Sequence, residues 1–259
     1  MIRLLIIDGM NLLRRIYSAL PTAENDSPNP EHFLNACSSA LKKILQQHRP
    51  THAVCVVEHY ATTWRHEMYP PYKANRKPQP EAMLATFPQL REEFARQGIS
   101  WLDVEGYEAD DIIASIVQST LGHPCLNLIL STDQLMAQLL DSQTRVYDHF
   151  NQQAIDSVSI RNRFGIGPEQ LADYFALVGS SSVNVPGVPG IGAKTAHALL
   201  TTHTDCETLL QSSDLPASAA KKLAGADPAV YLYRALFMLR RDCPIHGNIR
   251  DWRLQSRDS

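Results

Sequence analysis

Short apolar runs alternate with amphipathic stretches over the first two-thirds of the chain. The apolar runs predict five strands, at residues 2–7, 53–57, 99–104, 126–130 and 145–147. Apolar residues that recur every three or four positions predict helices at residues 31–48, 81–97, 109–120 and 134–140. Strands that are apolar on both faces are typical of a parallel sheet covered by helices. The pattern therefore predicts an α/β fold with a doubly wound, mostly parallel sheet.

The pattern changes at about residue 157, where short helical segments separated by Gly and Pro replace the strands. We therefore divide the chain into an α/β body, residues 1–156, and a helical region, residues 157–259. Within the body, a proline-rich segment at about residues 64–80 contains Arg65, Lys73, Arg76 and Lys77 but only one acid, Glu67. We interpret this segment as an exposed basic connection between the second strand and the helix at residue 81.

Composition excludes several classes of protein, a largely disordered chain among them. The 259 residues are 44% apolar and 20% charged, which predicts a folded core. The formal net charge is −3, so phosphate binding would have to come from local basic patches. Five cysteines occur without a CxxC pair, which favours reduced thiols. The apolar run at residues 4–7 is too short for a signal peptide or a membrane span, and we expect a cytoplasmic protein without membrane contact.

Acidic residues follow three of the predicted strands, at Asp8, Glu58 and Asp133. Ligands bind beyond the carboxyl ends of strands in an open parallel sheet. Residues 103–111 add five acids with no basic residue, and Glu108 and Asp111 share one face of the predicted helix start. Carboxylates gathered in this way need a hard cation such as Mg²⁺ or Mn²⁺. Helix capping and a solvated acidic surface remain the alternatives.

A run rich in Gly and Pro at residues 186–195 precedes an apolar helical pattern. It lacks the GxxxxGK[ST] spacing of a P-loop and the preceding strand, so we reject nucleotide binding. It fits a helix-hairpin-helix, with a first helix at residues 169–178, a glycine turn and a second helix that starts near Ala193. The glycines would let the backbone approach a phosphate, and the second helix would bind it through its first N–H groups. A tight turn without a ligand is the alternative.

These features together resemble the 5′ nuclease, or flap endonuclease, family over nearly the whole chain, from Asp8 to about Arg241. Six motifs match in the same order, at residues 7–12, 64–67, 72–76, 106–111, 131–133 and 186–195. The resemblance implies a helical arch at the basic segment and a helix-hairpin-helix in the C-terminal region.

The resemblance also implies roles for individual residues. It implies one well-held Mg²⁺ or Mn²⁺ ion at Asp8, Glu58, Glu108 and Asp110, with Asp111 close by and Asp133 near a second position. Lys73 and Arg76 would act on the scissile phosphate, and Tyr72 would lie beside the reacting nucleotide. A K⁺ ion would be held by the backbone carbonyls of Leu177, Val178, Pro186, Val188 and Ile191. The residues implied to face DNA are Gly190, Ile191, Gly192, Ala193, Lys194 and Thr195.

This chain departs from the family pattern at four positions. Glu58 stands where the family usually has Asp, and Leu135, Ser180 and Val183 replace acids of the second metal position. This pattern of losses resembles a short, stand-alone bacterial branch of the family.

The resemblance implies metal-dependent hydrolysis of DNA at 5′ flaps or at single-strand/duplex junctions, by a protein that we expect to be a monomer. Two alternatives remain. One is a structure-specific DNA-binding protein with weak or no catalysis, because the second metal position is depleted. The other is a metal-dependent RNase of a related small α/β type, which would not need Lys194 and the hairpin.

Overall fold

The computed structural model describes residues 1–22, 27–58 and 62–255. Its centre is a six-stranded sheet with the order β3-β2-β1-β4-β5-β6. The first five strands pair in parallel, and β6 runs antiparallel to β5. The strands are β1 (Ile2–Asp8), β2 (His52–Val56), β3 (Ser100–Leu102), β4 (Cys125–Leu130), β5 (Thr144–Asp148) and β6 (Gln153–Ile155).

The described residues also form twelve α-helices. Those of the α/β body are α1 (Gly9–Ala19), α2 (Pro30–His48), α3 (Trp64–Met68), α4 (Glu81–Ala85), α5 (Phe87–Arg96) and α6 (Ala109–Thr120). Those of the C-terminal region are α7 (Ser157–Phe164), α8 (Leu171–Val178), α9 (Ala193–Thr202), α10 (Cys206–Leu210), α11 (Ala217–Leu223) and α12 (Asp227–Phe237).

The core has two main layers, one on each face of the sheet. Alternate residues of β1 point to opposite faces, so Leu4 and Ile6 belong to one layer and Leu5 and Ile7 to the other. Helices α1, α2 and α5 cover the second layer, while α6, α8 and α9 pack on the first. The prediction of a doubly wound, mostly parallel sheet is confirmed.

Two predicted helices are wrong in detail. The predicted helix at residues 81–97 is split into α4 and α5 at Thr86, because Pro88 favours the first turn of a new helix. Residues 134–140, predicted as an α-helix, form a 3₁₀-helix over Gln134–Leu139. The hydrophobic pattern also missed α1, α3 and the edge strand β6.

In the basic segment, only α3 is helical, and residues 70–75 form turns. Four hydrogen bonds join these turns and the adjoining Arg76 to the loop at residues 181–184. Lys73 N donates to Val183 O (2.9 Å), Asn75 Nδ2 to Ser181 O (2.7 Å), Arg76 Nε to Ser182 O (2.9 Å) and Asn184 Nδ2 to Pro71 O (2.8 Å). The basic segment is thereby fixed to the C-terminal region.

The C-terminal region is packed as a set of short helices around α8. Asp173 on α8 accepts hydrogen bonds from Arg234 Nε (2.7 Å) and from the backbone N–H of Cys206 (2.8 Å), which ties α8 to α12 and α10. The boundary at residues 156/157 remains a prediction. Among the described residues, no helix has the length and apolar character needed to cross a membrane.

Candidate metal centre and nucleic-acid interface

The site begins at the carboxyl end of β1, beside β4. The chain turns from Asp8 directly into α1, and Asp8 caps this helix by accepting from the Asn11 N–H (3.1 Å). Ser131, just after β4, donates to Asp8 Oδ2 (2.7 Å). Because β1 separates β2 on one side from β4 on the other, this is the point at which the chain changes direction across the sheet. The predicted meeting of strand-end carboxylates therefore has a structural cause.

Asp110, in the first turn of α6, brings a second carboxylate to this edge. It accepts no hydrogen bond from another residue of the described chain. Burial, followed by the negative charges of Asp133 and Asp8, raises the pKa of Asp110 well above its usual value. Burial likewise raises the pKa of Asp8 to about 6, although its hydrogen bonds from Ser131 and Asn11 oppose the change. These three carboxylates therefore repel one another electrostatically.

Glu108, immediately before α6, is surrounded by donors. Its Oε1 accepts from Lys73 Nζ (2.6 Å), and its Oε2 accepts from Tyr72 OH and Arg65 Nη1 (both 3.1 Å). Burial would raise the pKa of Glu108, but Lys73 and Arg65 outweigh it and the pKa is lowered. Lys73 itself has φ = 55°, a left-handed conformation that is uncommon outside Gly.

Tyr72 is 5% exposed, and its hydroxyl is committed to Glu108. Burial, together with the nearby Glu108 charge, raises the pKa of the Tyr72 phenol. Tyr72 nevertheless lines the site pocket, and its predicted place beside a nucleotide remains a prediction.

Glu58, just after β2, joins two cations. Its Oε1 accepts from Arg14 Nη2 (3.1 Å), and its Oε2 lies 3.8 Å from Lys73 Nζ. Arg14 Nε donates in turn to Gln79 Oε1 (3.0 Å). A chain of alternating charges thus runs from Arg14 through Glu58 and Lys73 to Glu108.

Asp111 occupies a different place from the other predicted ligands. Its oxygens accept from both Nη atoms of Arg65 (2.5 and 2.8 Å), from Trp64 Nε1 (2.9 Å) and from the Arg240 N–H (2.9 Å). It is 0% exposed and does not line the site pocket. The structure therefore places Asp111 in a buried ion pair that holds α6, α3 and the segment after α12 together.

A pocket of about 330 Å³ lies at this edge of the sheet. Its lining carries four carboxylates, from Asp8, Glu58, Asp110 and Asp133, and four cationic side chains, from Arg14, Arg15, Lys73 and Arg76. The three residues that replace acids of the family pattern, Leu135, Ser180 and Val183, line the same pocket. Val183 is also buried in a small apolar cluster with Tyr72, Leu236 and Phe237.

The predicted metal ligands differ in how closely they are grouped and in whether a cation already engages them. No three of the His, Cys, Asp and Glu side chains at residues 1–22, 27–58 and 62–255 stand close enough together to form a ready-made site. Two predicted ligands, Glu58 and Glu108, are held by Lys73. In contrast, Asp8, Asp110 and Asp133 repel one another, which a divalent cation at this position would relieve. Hard carboxylate oxygens suit Mg²⁺ or Mn²⁺, so the chemistry of these three residues, though not yet their spacing, fits such an ion.

The predicted hairpin is formed by α8, a loop and α9, and it begins its second helix at Ala193 as predicted. The two arms of the loop touch through their backbones. A Cβ on Gly187 would lie 2.4 Å from Gly179 N and 2.7 Å from Leu177 O, and a Cβ on Gly179 would lie 2.6 Å from Pro186 O. Glycine is therefore required for this contact, which brings the peptide groups of Leu177, Val178 and Pro186 side by side.

Of the other two predicted carbonyls of the hairpin, that of Val188 is fixed by a hydrogen bond. Val188 O accepts from Ile191 N (3.0 Å), while the Val188 N–H donates to Leu177 O (2.8 Å). Each carbonyl oxygen has a second lone pair, so these bonds leave it able to contact a cation. Two of the predicted K⁺ ligands, the carbonyl oxygens of Leu177 and Val188, can thus accept a cation, and the K⁺ site remains a prediction.

The start of α9 is exposed. Gly190, Gly192, Ala193 and Lys194 all face solvent, and Thr195 is half-buried, whereas Ile191 is buried in the core. No side chain of the described residues caps the first turn of α9. Its first N–H groups and Lys194 are thus presented on one surface, where they can meet an anion.

The sequence reasoning missed several residues of the site. Arg14 and Arg15 lie on a helix that the hydrophobic pattern did not reveal. Asn11 exchanges hydrogen bonds with Thr132, which fixes the ends of β1 and β4 together. The sequence pattern assigns Arg65 only to a basic segment. The Arg14-Arg15 pair six residues after Asp8 was the one available signal.

Comparison with known proteins places this geometry in a family. A model of the N-terminal resolvase-like domain of 5′-3′ exonuclease matches residues 3–165, and a model of the C-terminal SAM fold of 5′-3′ exonuclease matches residues 166–259. A flap endonuclease Xni of Shewanella oneidensis is 40% identical over 98% of this chain and 96% of its own length. The flap endonuclease Xni of Vibrio atlanticus is 35% identical over 98% of both chains.

A solved structure has the same fold. A flap endonuclease of bacteriophage T5, in a pseudo-enzyme-product complex with DNA and metal ions, aligns with a TM-score of 0.74 and 20% identity, over 91% of this chain and 88% of its own. Two family models together cover residues 3–259, and the relatives match at nearly full length. The chain belongs to the 5′-3′ exonuclease family.

Proposed function

We propose that this protein is a Mg²⁺-dependent 5′ nuclease, which hydrolyses DNA phosphodiester bonds at 5′ flaps as a flap endonuclease or 5′-3′ exonuclease. The observation that carries the proposal is the group of mutually repelling carboxylates Asp8, Asp110 and Asp133, which shares one pocket with Lys73 and Arg76. Such a pocket can hold a cation and a phosphate together. The relatives named flap endonuclease Xni support the same activity.

Asp8, Asp110 and Asp133 would hold the divalent ion, and Glu58 and Glu108, which are bonded to Arg14 and Lys73 in this structure, would be further ligands. The ion would lower the pKa of a water bound to it and neutralise charge on the phosphate. Lys73 would place a positive charge at the scissile phosphate, at the position where Glu108 now holds it. Arg76 would contact a phosphate through its remaining N–H groups, since only its Nε is bonded to Ser182.

The hairpin would hold the duplex part of the substrate. Gly190 and residues 192–195 present backbone N–H groups and the Lys194 cation, whereas Ile191 is buried, and K⁺ at the adjacent carbonyls would bridge to a DNA phosphate. Phosphate contacts position a protein on DNA without reading its sequence. Binding should therefore be independent of sequence and should weaken steeply with salt. We also propose that the protein acts as a monomer in the cytoplasm, in replication and repair.

The test is cleavage of a synthetic 5′-flap DNA in Mg²⁺ or Mn²⁺, with Asp110→Ala as the control. The wild type should release the flap, and Asp110→Ala should not. A wild type that cuts no faster than this variant would refute the nuclease proposal.

A second candidate function is structure-specific DNA binding with little catalysis. Leu135, Ser180 and Val183 favour it, because they line the pocket with side chains that cannot bind a second ion as carboxylates do. The same experiment separates the two functions. Flap binding without cleavage would support the binding protein.

A further inference from the structure

Arg14 enters the candidate site from α1, six residues after Asp8. Its Nη2 donates to Glu58 Oε1 (3.1 Å) and its Nε donates to Gln79 Oε1 (3.0 Å). Two acceptors on separate segments thus fix the plane of the guanidinium group. The Arg14 side chain remains 33% exposed and lines the pocket, so it is both oriented and open to a ligand.

A guanidinium group has five N–H donors. Glu58 and Gln79 use two of those on Arg14, and the part of the chain that the structure describes offers no acceptor for the other three. Three donors of a held, forked cation therefore remain for an incoming group. A phosphate oxygen is the acceptor that such a fork suits best.

The charges that line the pocket indicate which group these donors would bind. The four carboxylates and four cations of the lining balance one another. A phosphodiester brings one negative charge and gains more as its bond to the leaving oxygen breaks. Lys73 offers a compact ammonium, so the cations of the lining that can supply a fork to this charge are guanidinium groups.

We propose that Arg14 is a phosphate-binding residue of the nuclease site: its free N–H groups contact a non-bridging oxygen of a phosphodiester bound in the pocket, while Glu58 holds the orientation of the guanidinium. The length of Glu58 is part of this arrangement. An aspartate at position 58 would be about one C–C bond shorter and would lose the 3.1 Å contact to Arg14. This inference rests on the proposed DNA substrate.

The experiment replaces single phosphates of a 5′-flap DNA by neutral methylphosphonates, at the cleavage position and at two positions on either side. Affinities are measured in Ca²⁺ by fluorescence anisotropy, and electrophoresis checks that the DNA stays intact. At one of these five positions, the position contacted by Arg14, a neutral phosphate should make the wild type bind about tenfold more weakly, because a charge-assisted contact is lost. Arg14→Ala should bind the unmodified flap about tenfold more weakly and lose no further affinity at that position.

Arg15→Ala is the matched control. Arg15 is the adjacent residue on α1, carries the same charge and lies over the Phe150 ring at 5.2 Å. This variant should keep the full loss of affinity at the position assigned to Arg14. Arg14→Lys keeps the charge without the fork and should keep part of that loss.

Equal losses in the wild type and Arg14→Ala at all five positions would overturn the role of Arg14. A wild type that cuts the unmodified flap in Mg²⁺ no faster than Asp110→Ala would instead overturn the proposed function, and the inference with it. Urea unfolding of each variant shows whether a loss of affinity reflects a loss of folded protein.

Discussion

Arg65 and Asp111 form a forked ion pair in the interior of the protein, with Nη1 and Nη2 donating to Oδ2 and Oδ1 at 2.5 and 2.8 Å. The two side chains are 2% and 0% exposed. Arg65 also donates to the carbonyls of Leu236, in the last turn of α12, and Met238, just after this helix. The neighbouring Asp110 faces the pocket and has no hydrogen-bond donor among the described residues. Two consecutive acids at the start of α6 therefore have opposite environments.

This contrast predicts opposite effects on stability. Asp111→Ala should lower the free energy of unfolding by about 3–5 kcal/mol, because it leaves the Arg65 guanidinium buried without a partner. Asp110→Ala should leave the free energy of unfolding unchanged or higher, because it removes a carboxylate that repels Asp8 and Asp133. Urea unfolding followed by circular dichroism measures both. Similar losses in the two variants would show that Asp111 is not the anchor of this network.

Lys73 provides a prediction about rate. Lys73→Met should lower the single-turnover rate of flap cleavage by about 100-fold to 1000-fold, as expected when a charge that stabilises the transition state is removed. Lys77→Met is the control, since Lys77 is an exposed lysine of the same segment that does not line the pocket. It should weaken DNA binding slightly and leave the rate at saturating protein unchanged. Equal rates for the two variants would exclude Lys73 from the chemical step.

The positions of Asp8 and Asp133 were accessible from the sequence, because apolar strands that pair in parallel bring their carboxyl ends to one edge. The start of the second hairpin helix at Ala193 was equally accessible, because the glycine run before it marks a turn. Local pattern carries this information, since strand ends and turns depend on adjacent residues.

The partners of charged side chains were not accessible in the same way. Asp111 has the same spacing from Glu108 whether it binds an ion or an arginine, and Arg65 is 46 positions away. The contacts of Arg65 with residues 236 and 238 depend on how the C-terminal region packs against α3. Such contacts are set by tertiary packing, which no short-range pattern encodes.

The chain lacks acids at three pocket positions of the family pattern, and restoring one of them should raise its affinity for a divalent ion. Leu135 lines the pocket and is half-buried, so Leu135→Asp would add a carboxylate beside Asp133. It should strengthen Mn²⁺ binding measured by calorimetry, because Mn²⁺ prefers oxygen ligands. If calorimetry shows one weakly bound Mn²⁺ ion with the same affinity in the wild type and the variant, this prediction is wrong.

Val183→Asp should behave differently from Leu135→Asp. Val183 is 8% exposed and packs with Tyr72, Leu236 and Phe237. A carboxylate there would be buried among apolar groups, and we expect the free energy of unfolding to fall by about 2 kcal/mol or more. Urea unfolding measures this, with Ser180→Asp as the control at an adjacent, more exposed position. An unchanged midpoint for Val183→Asp would mean that the cluster adapts to the charge.

The hairpin carbonyls predict a dependence on monovalent ions. Replacing K⁺ by Li⁺ at constant ionic strength should weaken binding to duplex DNA, because the smaller ion does not fill the space between the carbonyls of residues 177, 178, 186, 188 and 191. Fluorescence anisotropy in the two salts measures this effect. Affinity that does not differ between K⁺ and Li⁺ would exclude a K⁺ site.

Substitutions at Gly187 and Gly192 should distinguish the residues that fold the hairpin from those that contact DNA. Gly187 has φ = 71°, and a Cβ there would lie 2.4 Å from Gly179 N. Gly187→Ala should therefore lower the free energy of unfolding by about 2 kcal/mol or more. Gly192 has φ = −103° and open space around it, so Gly192→Ala should lower that free energy by less than about 1 kcal/mol.

Gly192→Ala should nevertheless weaken duplex binding by about tenfold, because its methyl group would stand between the backbone N–H groups of α9 and the phosphate. Urea unfolding and anisotropy on the same preparations distinguish the two effects. If Gly192→Ala binds duplex DNA as tightly as the wild type, the start of α9 does not contact the phosphate. The duplex would then have to be held elsewhere on the protein, and the loop contact between Gly179 and Gly187 would serve only to fold the hairpin.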